Sequence, residues 1–130
     1  MISIDINHPD IEEFIDVKTD LSKVNYANIS VRINNSFMKA VENDEDYILS
    51  WPCSEVDFNY ETDAPYNELQ SATSIQGTQV YYKRVKAKKI FEKLAKNNWD
   101  YAEPGIIYWD RVESYNLLNN TNVHYAGVNP

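Results

Sequence analysis

Gly105-Ile106-Ile107-Tyr108-Trp109, an unbroken apolar run entered through Pro104, decides how the rest of the chain reads. It has the length of a strand. A strand without polar alternation suits a parallel sheet, where both faces are covered. Just upstream is the clearest helical pattern. Over residues 84–99, Ala87, Ile90, Phe91, Leu94, Ala95 and Asn98 share one face and lysines take the other. Pro104-Gly105 ends that helix. Downstream, Asp110 is placed to cap a short helix over residues 111–115, and the tail from Leu117 reads as polar loop until Val123.

The N-terminal part repeats the theme. Ile2, Ile4 and Ile6 alternate with polar residues and predict a strand. Pro9 suits the first turn of a helix that buries Ile11, Phe14 and Ile15, with Asp10, Glu12 and Glu13 at the positive end of its dipole. Residues 19–26 connect to a second strand, Asn28-Ile29-Ser30-Val31-Arg32-Ile33. Asn34 or Asn35 can cap the next helix, which turns Phe37, Met38 and Val41 inward and ends at Asn43-Asp44-Glu45-Asp46. Tyr47-Ile48-Leu49-Ser50-Trp51 reads as a third strand closed by Pro52. Residues 53–79 lack periodicity. Structureless loops of that length are uncommon, so some irregular helix or a short hairpin is expected there, with Val80-Tyr81-Tyr82 extended. Alternating strands and helices predict an α/β fold, with residues 1–130 forming one domain or part of one.

Charge is unevenly placed. The net charge is −8, and seven of the twelve basic residues fall between Lys83 and Lys96. A solvated helix face accounts for them most simply; contact with the acidic part of the chain or with a nucleotide are the sharper readings. The overall sign disfavours nucleic acid and anionic membranes as partners. Cys53, the single cysteine, permits no internal disulfide and reads as a spectator thiol. No apolar run could span a bilayer and no signal-peptide pattern is visible, so a cytoplasmic location is expected. His8 and His124 have no second ligand at metal-binding spacing, so no metal site is expected, and His8 suits a capping or surface role. Glu12, Asp16 and Asp20 read as a solvated helix face. Glycines 77, 105 and 127 stand alone and form no phosphate loop. Trp51, Trp99 and Trp109 read as core or half-buried packing residues. Composition and spacing alone define an α/β domain without a catalytic constellation.

Four segments in order add more. Ile4-Asp5-Ile6-Asn7-His8-Pro9-Asp10-Ile11-Glu12-Glu13-Phe14-Ile15 is followed by Asn28-Ile29-Ser30-Val31-Arg32-Ile33 with Phe37-Met38-Lys39-Ala40-Val41. Then come Trp99 with Glu103-Pro104-Gly105-Ile106-Ile107 and Trp109-Asp110-Arg111, and last Gly127-Val128-Asn129-Pro130. Together they resemble the catalytic chain of ribonucleotide reductases, closest to the adenosylcobalamin-dependent class. Residues 53–79 match nothing in that pattern.

The resemblance implies a segment of a ten-stranded α/β barrel, built of two five-stranded parallel halves, with a finger loop carrying a radical cysteine into its centre. In the family that cysteine directly follows the Asn-Pro pair, so the chain is expected to stop just before it, to hold no catalytic residue and to be inactive alone. The implied activity is that of a ribonucleoside-diphosphate reductase or its triphosphate counterpart, an oxidoreductase making 2′-deoxyribonucleotides for DNA synthesis, with adenosylcobalamin as cofactor of the complete enzyme. Asn129 matches the family asparagine that binds the ribose hydroxyls, a task suited to a neutral amide offering both donor and acceptor. The implied partners are the ribonucleotide and the remaining reductase polypeptide, with self-association through exposed sheet edges. Two alternatives stay open: the iron- or manganese-dependent class, and a non-enzymatic interaction or regulatory module that keeps the scaffold.

Overall fold

A computed structural model describes residues 1–130 except 21, 23, 25, 54–56, 119, 124, 129 and 130. The expectations for Asn129 and His124 fall outside the described residues. The elements run β1 (Ile2–Asp5), α1 (Ile11–Asp16), β2 (Ile29–Ile33), α2 (Asn35–Glu42), β3 (Asp46–Trp51), β4 (Leu69–Thr73), β5 (Gln79–Lys86), α3 (Ala87–Tyr101), β6 (Gly105–Tyr108) and α4 (Trp109–Ser114).

These strands form two sheets. One is parallel, ordered β1-β2-β6, and the other antiparallel, ordered β3-β5-β4. The parallel register aligns Ile4, Val31 and Ile106 in one row and Asp5, Arg32 and Ile107 in the next. Successive rows face opposite sides of a sheet. Ile4, Ile6, Val31, Ile33 and Ile106 therefore join the core, together with Ile11 and Ile15 of α1, Phe37 and Ala40 of α2, and Ala87, Ile90 and Leu94 of α3. Ser3, Asp5, Ser30 and Arg32 occupy the side away from that core.

This two-sidedness corrects the reading of residues 105–109. β6 is not covered on both faces: Gly105, Ile106 and Ile107 are each half-buried and Tyr108 is exposed. Among the described residues β6 has β2 as its one neighbour, and β1 likewise. The buried strand is β2, in the middle. The parallel order across α/β crossovers agrees with the expected class, but the described strands do not close a barrel.

The third strand was expected to continue the α/β alternation. Instead β3 pairs antiparallel with β5, from Asp46↔Lys86 to Trp51↔Tyr81. The two sheets meet where Ser50 N–H donates to the Asn7 carbonyl at 2.7 Å. The hairpin expected within residues 53–79 exists as β4, joined to β5 by a tight turn. There the Ser74 amide donates to the Thr78 carbonyl at 2.8 Å, and Gly77 supplies a φ of 84°, which a side chain would disfavour.

The helix expected from residue 84 begins at Ala87, because Arg84 and Lys86 are held in β5 by pairing with β3. Long-range pairing overrides the local preference of those residues. Its buried line is Ala87, Ile90, Leu94 and Asn97; Ala95 and Asn98, assigned inward from sequence, are exposed. Asn97 tolerates burial because its Nδ2 donates to the Ile15 carbonyl and to Asp16 Oδ1, both at 2.9 Å. Trp99, expected to pack, is 89% exposed, and Trp51 is 51% exposed. Trp109 is half-buried, as expected.

Candidate functional site at the C-terminal rim of the parallel sheet

Ligands of open α/β sheets bind beyond the carboxyl ends of the strands. Here β1 ends at Asp5, β2 at Ile33 and β6 at Tyr108, and polar side chains gather just past them. Asp5 Oδ1 accepts the Asn7 amide at 2.9 Å, closing the turn after β1. Asn34 caps α2, its Oδ1 accepting the Phe37 amide at 2.8 Å, while its Nδ2 donates to Asn7 Oδ1 at 3.1 Å. Tyr47 of β3 donates its hydroxyl to the same Asn7 oxygen at 2.7 Å, and burial pushes the phenol pKa up. These contacts choose Asn34 over Asn35 as the cap. Asp110, expected to cap its own helix, reaches across instead: its Oδ2 accepts the Asn35 amide at 2.6 Å, tying α4 to the start of α2.

Arg32 is the cation of this rim. Its guanidinium stands 4.9 Å over the Trp109 ring, with Nη2 3.9 Å from Asp5 Oδ2 and Nη1 donating to the Ala126 carbonyl at 3.4 Å. Nε is buried without a hydrogen-bond partner. From sequence, Arg32 is one polar member of an alternating strand. The available signal was a charge at the end of an otherwise apolar β2. Cys53 feels the same neighbourhood: burial and then the Asp5 carboxylate push its thiol up to about 11, partly offset by Arg32. A thiol held protonated is a poor nucleophile, in keeping with the spectator reading.

The rim is thus rich in neutral amides and hydroxyls, with Arg32 beside Asp5 and Asp110 engaged at the start of α2. Such groups orient hydroxyls. Asn129, to which the family resemblance assigns that task, lies outside the described residues.

Other sequence candidates resolve structurally. His8 Nδ1 accepts the Asp10 amide at 3.0 Å within the turn before α1, whose start carries no side-chain cap. Among the described residues, no three His, Cys, Asp or Glu side chains come together as metal ligands. The basic cluster largely meets acids of this chain. Asp46 takes Arg84 Nε at 2.8 Å, Lys86 Nζ at 2.5 Å and the Tyr66 hydroxyl at 2.8 Å, which hold its carboxyl at about 2. Lys93 pairs with Asp16 at 2.6 Å and approaches Glu12, so that face is not simply solvated. A cleft of about 600 Å³ beside α1 includes Asp10, Glu13, Asp16 and Asp20 in its lining, and those carboxylates repel phosphates.

Residues 1–127 match the barrel domain of ribonucleotide reductase. Vitamin B12-dependent ribonucleotide reductases of Streptomyces avermitilis and Streptomyces coelicolor are each 30% identical to the chain over 153 residues, covering all of it and 13% of their own length. A vitamin B12-dependent ribonucleoside-diphosphate reductase of Thermoplasma acidophilum is 29% identical over 118 residues, 90% of this chain and 12% of its own. The chain belongs to the ribonucleotide reductase family. It spans about an eighth of the length of these relatives.

Proposed function

We propose that these residues serve as part of the catalytic barrel of a vitamin B12-dependent reductase that converts ribonucleotides to 2′-deoxyribonucleotides. The observation that carries this is a parallel sheet whose two borders are open among the described residues and whose far side is largely polar, in a chain that matches the barrel family along residues 1–127. Open borders suit a segment whose neighbouring strands come from the remaining polypeptide. Adenosylcobalamin would supply the radical that starts the reaction. What these residues contribute is placement. Asn129 holds the ribose hydroxyls, and fixing the sugar beside a reactive sulfur lowers the barrier through proximity. Cys53 has no part in this reading, and these residues alone are expected to be inactive.

Asn129→Ala in the complete enzyme tests this. Deoxyribonucleotide formation should fall about 100-fold, as expected for a misplaced reactant, with the fold retained. Undiminished turnover would remove Asn129 from the site. The non-enzymatic reading draws support from the antiparallel sheet, where Trp51, Leu69 and Tyr81 are all exposed and could meet a protein partner. A complete polypeptide that binds no ribonucleotide would favour it.

A further inference from the structure

We propose that Arg32 is a positioning residue, whose guanidinium fastens the segment leading into Asn129 to the carboxyl end of the parallel sheet. The proposal rests on the reductase reading for its function, but its geometry stands independently. A planar guanidinium can present its face to an aromatic ring and its edge to acceptors at the same time, which an ammonium cannot do. Arg32 uses both. Its face is on Trp109 at 4.9 Å, Nη1 is on the Ala126 carbonyl at 3.4 Å, and Nη2 is 3.9 Å from the Asp5 carboxylate. Those groups come from β1, the start of α4 and the tail, so one side chain of the central strand fixes three separate stretches of chain. Burying a donor without an acceptor is unfavourable, yet Nε is buried in that way. The side chain is therefore held in this pose by its outer contacts.

The chain itself supplies the first test. Chymotrypsin cuts after Tyr125, beside the held carbonyl, and after Tyr115, which is 82% exposed and stands at the other end of α4 from Trp109. In Arg32→Ala, cleavage after Tyr125 should quicken about tenfold, the worth of a hydrogen bond to a charged group, while cleavage after Tyr115 keeps its rate. Arg32→Lys keeps the charge but loses the ring stacking, and should fall between; it also serves if the alanine variant does not fold. Unchanged cleavage after Tyr125, or an equal rise at both sites, overturns the proposal. In the complete enzyme, Arg32→Ala should lower kcat about 100-fold with little change in KM, since a loose tail misplaces the ribose. If Tyr125 is released as expected but Asn129→Ala is fully active, the clamp stands and the reductase role of Asn129 falls.

Discussion

Asn34 has two tasks at once, and its removal should register in both. Its Oδ1 satisfies an amide at the start of α2 and its Nδ2 braces Asn7, which in turn receives the Tyr47 hydroxyl. Asn34→Ala should cost about 1 kcal/mol for the cap alone, read as a lower denaturation midpoint. Cys53 allows a sharper check. With its thiol pushed up to about 11, little thiolate exists near neutrality. Iodoacetamide should therefore label Cys53 far more slowly than free glutathione at pH 7; equal rates would contradict the burial that raises it. The cap was legible from sequence because an Asn-Asn pair before an apolar face is a local signal. Arg32 and Asp110 were not legible, because their partners are 94 and 75 residues away.

At the scale of elements, the charges that join β3 to β5 make stability depend on pH. Asp46 sits at about 2 in the folded chain, below its ordinary value of 3.8, because Lys86, Arg84 and Tyr66 favour the carboxylate. A depressed carboxyl gives stability that is present above its unfolded pKa and lost as pH falls through the folded one. Between about pH 4 and pH 2 the chain should lose stability, and Asp46→Asn should flatten that slope in an acid titration followed by circular dichroism. In the core, Leu94 of α3 is wholly buried, so Leu94→Ala should destabilise by about 2–5 kcal/mol in denaturant unfolding. Periodicity located α3, yet its first turn and inner line were displaced. Arg84 and Lys86 read as helix formers, but their strand state is set by partners at Ile48 and Asp46. The same limit applied to residues 105–109. An apolar run reveals a strand but does not show how many neighbours cover it within the chain.

For the whole molecule, the decisive feature is the pair of borders on the parallel sheet that stay open among the described residues. Such edges, together with exposed Ile2 and Tyr108 along them, favour pairing with other strands. The purified chain should therefore associate as concentration rises, seen as an increasing weight-average mass in sedimentation equilibrium; a strictly monomeric chain would argue that the borders are closed. The α/β class was readable because strand and helix periods alternate along the sequence. The separate antiparallel sheet was not, since pairing direction leaves no mark in composition. The proposed function has these residues hold a ribonucleotide for chemistry completed by the rest of a reductase. Its most direct test is deoxyribonucleotide formation from labelled ribonucleotide with adenosylcobalamin, assayed for the chain alone and for the complete enzyme. Product is expected from the complete enzyme and none from the isolated chain; product made by the isolated chain would contradict the claim.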